Sequence, residues 1–341
     1  MALFNFFTEE IAMDLGTANT LIIHEEEIVV NEPSIIALNR NNPKEVIAVG
    51  KRALLMHEKT HDSIRTIRPL KDGVIADFNA AELMIREMMK LIYPKKRLFP
   101  PNWRMMICIP SSITEVEKRA VRDSAEQAGA KEVYLIHEPM AAAIGIGIDV
   151  EEPVGNMIVD IGGGTTGITV IALAGIVCDQ SIRIAGDEFT ADIIEVLRRY
   201  HSLLIGERTA EQIKIEIGAA MKDLDNPPDD LPVNGRDLVT GIPKQIYVSY
   251  QEIAEALDKS IFKIEEAILK ALETTPPELA SDIAKRGLYL TGGGSLLRGL
   301  DKRLSQKIKL PVQVAEDPLK SVVRGTGIVL KHYQRYPFIM R

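Results

Sequence analysis

Hydrophobic positions along the chain follow two different spacings, and each spacing predicts a different kind of element. Short apolar runs that end at an acid or a turn predict strands, whereas apolar residues three and four positions apart predict helices. In the first half the predicted strands cover residues 10–14, 20–24, 28–30, 34–38, 46–49, 104–109 and 133–136. The predicted helices there cover residues 79–92, residues 114 to about 129 behind a Thr114/Glu117 capping box, and an alanine-rich stretch from residue 140.

The second half repeats this plan. Its predicted strands cover residues 156–160, 168–173, 176–178 and 288–291, and its predicted helices cover 187–201, 209–221 behind a Thr209/Gln212 capping box, 252–272, 296–304 and 318–333. Each half begins with a strand that ends at an acid, and the two acids, Asp14 and Asp160, are 146 positions apart (160 − 14 = 146). This period is too long for a solenoid and indicates a duplicated domain. Strands mixed with helices indicate an α/β fold.

Composition narrows the class of protein. The 341 residues are enough for two or three domains. A net charge of −7 lacks the excess of positive charge that broad nucleic-acid binding needs. Cys108 and Cys178 both lie in apolar runs and are predicted to be buried thiols of a reducing compartment. The N-terminus lacks the features of a secretory signal, and the longest uncharged run, residues 161–178, is typical of strand, turn and strand, so we expect a cytoplasmic protein.

Two glycine-containing turns follow the two acids and carry the candidate chemistry. The first has the sequence DLGTANT over residues 14–20, and the second has DIGGGTT over residues 160–166. Glycine lets the backbone approach a phosphate closely, and successive amides form a nest that binds anions. Thr17, Asn19 and Thr20 add donors to the first turn, and Asp14 is suited to a hydrated Mg²⁺. Each turn alone is compatible with an ordinary hairpin, whereas two such turns facing each other predict a polyphosphate clamp between two domains.

A third glycine cluster, residues 292–295, lies between a predicted strand and a predicted helix. This context lets an anion or a base approach a helix N-terminus, although the same residues suit a plain strand-to-helix connection. The sequence contains neither a Walker A motif nor a G-x-G-x-x-G motif in a usable context, so it does not match the standard nucleotide-binding folds.

Eight stretches, in order and spread along essentially the whole chain, resemble the MreB family of bacterial actins. That family lies within the superfamily of actin, sugar kinases and DnaK-type chaperones. The stretches are DLGTANT (14–20), RPLKDGVIADF (68–78), HEPMAAAIG (137–145), DIGGGTT (160–166), LIGERTAEQIK (204–214), PPELASDI (276–283), LTGGGSLLRGLD (290–301) and AEDPL (315–319).

The resemblance implies an α/β fold of duplicated actin-like (ribonuclease H-like) domains with a nucleotide cleft between them. The first half would span residues 1–145, with a small subdomain at about 33–66. The second half would span residues 146–314, with a small subdomain at about 182–243. Residues 315–341 would pack back on the first half.

The resemblance also implies roles for individual residues. Asp14 and Asp160 would flank Mg²⁺ through its waters, and Glu138 would polarise the water that attacks the γ-phosphate, with Asp160 and Thr165 completing the catalytic set. An acid at the position of Glu138 is also favoured simply by the helix dipole. ATP or ADP would contact three loops and one helix, through Gly16, Thr17, Ala18 and Asn19, Gly162, Gly163, Gly164 and Thr165, Glu207, Arg208, Thr209, Ala210 and Lys214, and Gly292, Gly293, Gly294 and Ser295.

Two positions depart from the pattern expected of the family. Gly167 stands where many relatives are expected to have an acid, and this exchange would loosen the turn or alter the sensing of the γ-phosphate. His137 stands where an acid is also common, and we assign it no catalytic role.

Two apolar segments are candidate lipid contacts. Leu98 and Phe99 lie among Lys95, Lys96, Arg97 and Arg104, which suits anionic headgroups, although the same two side chains would also suit a core connection. The N-terminal segment offers a second set, Leu3, Phe4, Phe6 and Phe7. Weak anchors of either kind would act strongly when many copies lie on one filament.

The function implied by the resemblance is that of a slow ATPase coupled to polymerisation, converting ATP and water to ADP and phosphate. Its filaments would lie at the inner face of the cell membrane, contact inner-membrane lipids and the membrane proteins of the cell-wall elongation machinery, and maintain rod shape. We expect no nucleic-acid partner. The alternative is a sugar or small-metabolite kinase of the same superfamily; a chaperone is disfavoured because the chain leaves no room for a peptide-binding domain.

Overall fold

The computed structural model describes residues 8–93 and 101–341 of the chain. The chain divides into two units, one made of Met1–Pro153, Ile171–Asp179 and Leu319–Arg341, the other of Val154–Val170 and Gln180–Pro318. The subdomain boundaries given above stay a prediction.

The elements of the first half begin with five strands. They are β1 (Thr8–Leu15), β2 (Asn19–His24), β3 (Glu27–Pro33), β4 (Ile36–Asn39), β5 (Val46–Val49), α1 (Lys51–Met56), β6 (Ile64–Ile67), β7 (Leu70–Lys71), β8 (Val74–Ile75), α2 (Phe78–Ile92), β9 (Asn102–Ile109), α3 (Glu115–Gln127), β10 (Ala130–His137) and α4 (Glu138–Gly145).

The elements of the second half begin with three strands. They are β11 (Asn156–Ile161), β12 (Thr166–Ala172), β13 (Gly175–Ile182), α5 (Gly186–His201), β14 (Leu203–Leu204), α6 (Glu207–Ile217), β15 (Leu231–Asp237), β16 (Pro243–Val248), α7 (Tyr250–Thr274), α8 (Pro277–Arg286), β17 (Leu288–Thr291), a 3₁₀ helix (Gly293–Leu296), α9 (Leu300–Ile308), β18 (Val312–Val314) and α10 (Ser321–Lys331).

Two five-stranded sheets have the same strand order, which confirms the predicted α/β class and the predicted duplication. One sheet has the order β10-β9-β1-β2-β3, and the other has β18-β17-β11-β12-β13. In both, the first strand of the half is central, its hairpin partners lie on one side, and parallel strands lie on the other. Three smaller sheets, β14-β15-β16, β5-β4-β6 and β7-β8, are also present.

The parallel pairings bring the carboxyl ends of neighbouring strands to one sheet edge. In the first sheet Asp14 of β1 lies opposite Cys108 of β9, which in turn lies opposite Ile136 of β10. In the second sheet Asp160 of β11 lies opposite Thr291 of β17. The edge at the carboxyl ends of parallel strands is where open α/β sheets bind ligands, so these registers place the candidate residues where chemistry is expected.

The helices α4 and α10 pack with their backbones nearly touching. A Cβ atom added at Gly145 would lie 1.9 Å from the carbonyl oxygen of Ser321, and one added at Gly325 would lie 1.8 Å from that of Ala141. Nearly all of α4 is buried, including Ala141, Ala142 and Ala143. Small residues are therefore required on both helices, and the alanine-rich sequence of α4 follows from this close contact.

Several helix starts show how local sequence sets an element. The Thr114/Glu117 capping box is confirmed at the start of α3. The Thr209/Gln212 capping box was a wrong prediction, because α6 begins two residues earlier, after Gly206, and ends at Ile217. An unpredicted Ser249/Glu252 capping box starts α7 at Tyr250.

Two further predictions differ from the structure. Cys108 is buried as expected, but Cys178 is only partly buried because β13 alternates between covered and uncovered positions. The third glycine cluster enters a short 3₁₀ helix, and α9 begins only at Leu300, so the cluster does not open an α-helix. None of the helices within residues 8–93 and 101–341 combines the length and apolar character that a membrane crossing needs.

Candidate functional site

The first candidate loop is the tight connection between β1 and β2. The amide of Gly16 donates to the carbonyl oxygen of Asn19 at 3.1 Å, and Leu15 pairs with Thr20 directly below the turn. A Cβ atom at position 16 would lie 2.8 Å from that same Asn19 oxygen. Glycine is therefore required at position 16 by the closeness of the turn itself.

Ser34 supports the first loop from below. Its hydroxyl donates to the carbonyl oxygen of Gly16 at 2.6 Å, and its amide donates to that of Ala18 at 2.9 Å. Thr20 is fully buried and shares a hydrogen bond with the Ser34 hydroxyl at 2.9 Å. The sequence predicts Thr20 to be a donor of the loop, but its hydroxyl stabilises the turn instead. The Thr17 hydroxyl accepts from the amide of Gly73 at 2.9 Å, which fixes its orientation.

The second candidate loop, between β11 and β12, has the same turn. The amide of Gly162 donates to the carbonyl oxygen of Thr165 at 3.0 Å. Two amides from the start of α5 support this loop, since Gly186 donates to the carbonyl oxygen of Gly162 at 3.1 Å and Asp187 donates to that of Gly163 at 2.7 Å. The two loops therefore share a backbone geometry and differ in what lies beneath them.

Both loops present amides that could bind an anion. In the part of the chain that the structure describes, the amides of Thr17 and Ala18 in the first loop, and of Gly163 and Gly164 in the second, donate no intramolecular hydrogen bond. The carbonyl oxygens of both loops are engaged by the supports described above. Amides that lie side by side without an internal acceptor form the kind of nest that binds phosphate oxygens.

Asp14 lies at the carboxyl end of β1, next to a buried thiol. The Cys108 thiol donates to Oδ1 of Asp14 at 3.2 Å and accepts from the amide of Leu15. Burial and the negative charges of Asp14 and Glu138 raise the pKa of the Cys108 thiol well above its usual value. Glu138, the first residue of α4, therefore lies close enough to Asp14 and Cys108 for these groups to share one electrostatic environment.

Asp160 occupies the matching place at the end of β11. Its Oδ1 atom accepts a hydrogen bond from the Thr291 hydroxyl at 2.8 Å. Burial raises the pKa of the Asp160 carboxyl, and the Thr291 hydrogen bond opposes this shift. Gly292 lies against this carboxylate: a Cβ atom there would be 2.7 Å from Asp160 Oδ1 and 2.4 Å from the carbonyl oxygen of Ile161.

Each of these carboxylates by itself has the chemistry that suits a hydrated magnesium ion. Mg²⁺ prefers oxygen ligands, retains several waters and is usually bound by one or two carboxylates together with phosphate oxygens. Asp14 and Asp160 each have one oxygen engaged by a neighbouring strand. No group of three or more His, Cys, Asp or Glu side chains within residues 8–93 and 101–341 is arranged to hold a metal by itself.

The predicted nucleotide residues of α6 lie in its first two turns. Glu207 begins the helix, Arg208 is exposed, Thr209 is half-buried and Ala210 is fully buried. Lys214, one turn further along, donates to the carbonyl oxygen of Gly186 at 2.8 Å and pairs with Glu211 at 2.6 Å. Lys214 thereby links α6 to the start of α5 and so to the support of the second loop.

The third glycine cluster lies against the end of β11. A Cβ atom at Gly294 would meet the Ile161 side chain at 2.2 Å, and the Ser295 hydroxyl donates to the carbonyl oxygen of Gly292 at 2.7 Å. Gly293, between them, is exposed. Close packing on β11 thus explains Gly292 and Gly294 independently of any ligand.

The two positions that depart from the family pattern have simple structural accounts. A Cβ atom at Gly167 would meet nothing within 4 Å, so the backbone does not require glycine there. His137 precedes α4 and bonds to the backbone of Pro110, and burial lowers the pKa of its imidazole. The candidate lipid contacts Leu3, Phe4, Phe6, Phe7, Leu98 and Phe99 lie outside the described residues.

Comparison with known proteins finds close relatives over nearly the whole chain. The Mbl cell shape-determining protein of Bacillus subtilis (strain 168) is 47% identical over 332 residues, covering 97% of this chain and 98% of its own. The MreB cell shape-determining protein of Escherichia coli (strain K12) is 48% identical over 332 residues, covering 95% and 94%.

Solved structures show the same fold. MreB5 of Spiroplasma citri bound to ADP is 38% identical, with a TM-score of 0.89 and coverage of 96% of this chain and 98% of its own. A MamK double helical filament is 21% identical, with a TM-score of 0.77 and coverage of 97% and 100%. The fold is therefore actin-like, as expected. The family model for the MreB/Mbl protein matches residues 8–337, and the chain belongs to the MreB/Mbl family.

Proposed function

We propose that this chain binds ATP and ADP with Mg²⁺, hydrolyses ATP slowly, and couples hydrolysis to filament assembly. The observation that carries the proposal is the pair of matched loops, each with a carboxylate at the preceding strand end and with amides that donate to no acceptor among the described residues. The relative MreB5 of Spiroplasma citri has been solved with ADP and with AMPPNP. These ligands support an adenine nucleotide as the occupant.

In this proposal the chain supplies positioning and charge stabilisation. The amides of both loops bind the phosphate oxygens, and Asp14 and Asp160 bind the waters of the metal. Mg²⁺, when bound, neutralises charge on the phosphates. Glu138 orients the attacking water and accepts its proton, with Thr165 of the second loop beside the transferred phosphoryl group. Glu207, Arg208, Thr209, Ala210 and Lys214 of α6 line the adenosine, with Gly292, Gly293, Gly294 and Ser295 beneath it.

The wider cellular role follows the relatives. Mbl and MreB are named as cell shape-determining proteins, and MamK has been solved as a filament. We propose that this chain self-associates into filaments at the inner face of the membrane, contacts lipid through Leu98, Phe99 and the 3–7 segment, and acts with the membrane proteins of wall elongation to maintain rod shape.

Glu138→Gln tests the catalytic assignment. The variant keeps the size of the side chain and a polar group at the start of α4 but cannot accept a proton, so ATP affinity is retained. Phosphate release falls on the order of 10²–10⁴-fold if Glu138 is a general base. Fluorescent-nucleotide binding and phosphate release are measured on the same preparation.

Glu278→Gln is the matched control, because Glu278 is an exposed acid in the first turn of α8, which like α4 has a proline in its first turn. Its phosphate release equals that of the unmodified chain. Loss of nucleotide binding in Glu138→Gln would assign Glu138 a structural role instead. Added sugars leave ATP consumption unchanged; stimulation by a sugar would favour a metabolite kinase.

A further inference from the structure

Each candidate metal-facing carboxylate has a hydrogen-bond donor directly across the sheet. Asp14 of β1 is opposite Cys108 of β9, whose thiol donates to Asp14 Oδ1 at 3.2 Å. Asp160 of β11 is opposite Thr291 of β17, whose hydroxyl donates to Asp160 Oδ1 at 2.8 Å. Both pairings are parallel, and in both the donor comes from the strand on the side away from the hairpin loop.

The two donors occupy the same place in their sheets, although they follow their aspartates in the sequence by different numbers of residues. Cys108 follows Asp14 by 94 positions (108 − 14 = 94), whereas Thr291 follows Asp160 by 131 (291 − 160 = 131). β9 and β17 nevertheless take the same place beside the first strand of their sheets. The duplication has therefore kept a donor at this place while the connection lengths and the donor atoms changed.

Burial makes both donors effective orienting groups. Cys108 is 2% exposed and Thr291 is 0% exposed, so water competes little for either hydrogen bond. A carboxylate with one oxygen fixed by a buried donor cannot rotate without leaving that donor unsatisfied. The second oxygen of each carboxylate then keeps a defined direction.

We propose that Cys108 and Thr291 are positioning residues that orient Asp14 and Asp160 toward the hydrated metal of the bound nucleotide. This rests on the proposed function, because the carboxylates have this role only if Mg²⁺–nucleotide binds. Neither donor touches substrate; each acts through its aspartate.

The hydrogen bonds that the two positioning residues donate differ in strength. A hydroxyl is a stronger donor than a thiol, and the Thr291 contact is shorter than the Cys108 contact. Removing Thr291 should therefore disturb metal binding more than removing Cys108.

The test measures the Mg²⁺ midpoint for binding of a fluorescent ATP analogue, with nucleotide affinity in EDTA as a second measurement. Thr291→Val raises the Mg²⁺ midpoint about tenfold, in line with loss of a hydrogen bond to a charged group. Cys108→Ala raises it about threefold, in line with loss of a weaker donor. Affinity in EDTA is unchanged in both variants, because no donor contacts the nucleotide.

Conservative variants keep the test informative where a truncation destabilises the fold. Thr291→Ser restores a midpoint near that of the unmodified chain, and Thr291→Cys, which places the donor of the first half in the second, gives an intermediate value. Cys108→Ser lowers the midpoint relative to Cys108→Ala. Thr326→Val is the matched control, since Thr326 is equally buried but its hydroxyl donates to a backbone carbonyl of its own helix, that of Val322, at 2.7 Å.

The outcomes separate the two proposals. If the unmodified chain shows no Mg²⁺-dependent nucleotide binding, the proposed function fails. If it does bind and Thr291→Val keeps the same Mg²⁺ midpoint, the positioning role is wrong. An equal loss of affinity with Mg²⁺ and in EDTA would also overturn it, because that result indicates a general structural effect.

Discussion

The first and second loops form the same turn, but different groups hydrogen-bond to each of them. In both, a glycine amide donates to the carbonyl oxygen three residues later, at 3.1 Å for Gly16 and 3.0 Å for Gly162. The first is supported by Ser34, the second by the amides of Gly186 and Asp187. The backbone path of the turn is therefore the same in both loops, while the groups that stabilise it differ.

The two loops also differ in how closely their support approaches the backbone. The start of α5 approaches the second loop so closely that a Cβ atom at Gly186 would lie 3.2 Å from the carbonyl oxygen of Gly162 and 3.6 Å from the Cα atom of Gly163. The first loop receives one serine side chain instead and contains a single glycine, Gly16. Among the described residues, a Cβ atom at Gly162 itself would meet only the carbonyl oxygen of Thr165, at 3.4 Å, so the approach of α5 accounts for the glycine at position 186 and not for the run of three in the loop.

Removing the carboxylate that precedes each loop is expected to have the largest effect. If Asp160 both faces the metal and orients its water, Asp160→Ala lowers phosphate release on the order of 10³-fold. Asp14→Ala, which removes a metal-facing group alone, lowers it on the order of 10²-fold. Phosphate release at saturating nucleotide measures both, with circular dichroism to confirm the fold. Equal effects would mean that the two halves contribute symmetrically.

A second comparison concerns the glycines at the two strand ends. Gly292→Ala combines a positive φ of 77° with a Cβ position 2.4 Å from a carbonyl oxygen, and we expect it to lower the free energy of unfolding by about 2–4 kcal/mol. Gly16→Ala places a Cβ atom 2.8 Å from one carbonyl oxygen, and we expect it to lower the free energy of unfolding by about 1–2 kcal/mol. Urea unfolding measures both, and the reverse order would show that the first turn is the more rigid one.

The supports of the loops give a third comparison. Ser34→Ala leaves the Gly16 carbonyl and the buried Thr20 hydroxyl without their partner and lowers the free energy of unfolding by about 2 kcal/mol. Lys214→Met keeps the packing of the stem and removes the hydrogen bond to Gly186, at a cost of about 1 kcal/mol. Urea unfolding without nucleotide measures both values; a larger loss in Lys214→Met would show that α6 supports its loop more than Ser34 does.

The smallest expected effect is a pH dependence specific to the second half. Burial raises the pKa of Asp160 above its unfolded value, so the folded chain favours the protonated acid, and stability falls as pH rises through the folded pKa. Asp160→Asn removes the cost of burying a charged carboxylate. Without nucleotide and metal, the variant is therefore slightly more stable than the unmodified chain at pH 7, and the difference disappears below about pH 3.8, where both folded and unfolded Asp160 are protonated. Thermal unfolding across this range measures it, and a constant difference would contradict the assignment.

The sequence was a good guide to local features and a poor one to contacts across strands. The strand ends at Asp14 and Asp160, both glycine turns and the α3 capping box are predicted correctly, because each depends on neighbouring residues. No local pattern gives Ser34, Cys108 or Thr291 a role beside the glycine turns, although Cys108 is predicted to be a buried thiol, because that role follows from which strands pair and in which register. The position of Thr291 at the end of a predicted strand, just before a glycine cluster, was the available signal.

The errors have the same origin. Thr20 has the right residue type for a phosphate contact, but it lies in a run of consecutive buried residues of β2, where its hydroxyl bonds to Ser34. The α6 start was predicted from Thr209 and Gln212, yet the helix begins at Glu207, within reach of the α5 start through Lys214. Tertiary packing decided these positions, and no local pattern reports it.

The pairing of the last residues with β10 has a consequence for how the protein can be labelled. Met340 exchanges two hydrogen bonds with Leu135, at 2.9 and 3.0 Å, and β10 leads directly into Glu138. A fluorescent protein fused after Arg341 would therefore lie one residue from a pairing with the strand that leads to the proposed catalytic glutamate. Asn226 and Pro227 lie in an exposed, irregular stretch that is not paired with β10. A fluorescent protein inserted there should therefore leave the proposed activity intact.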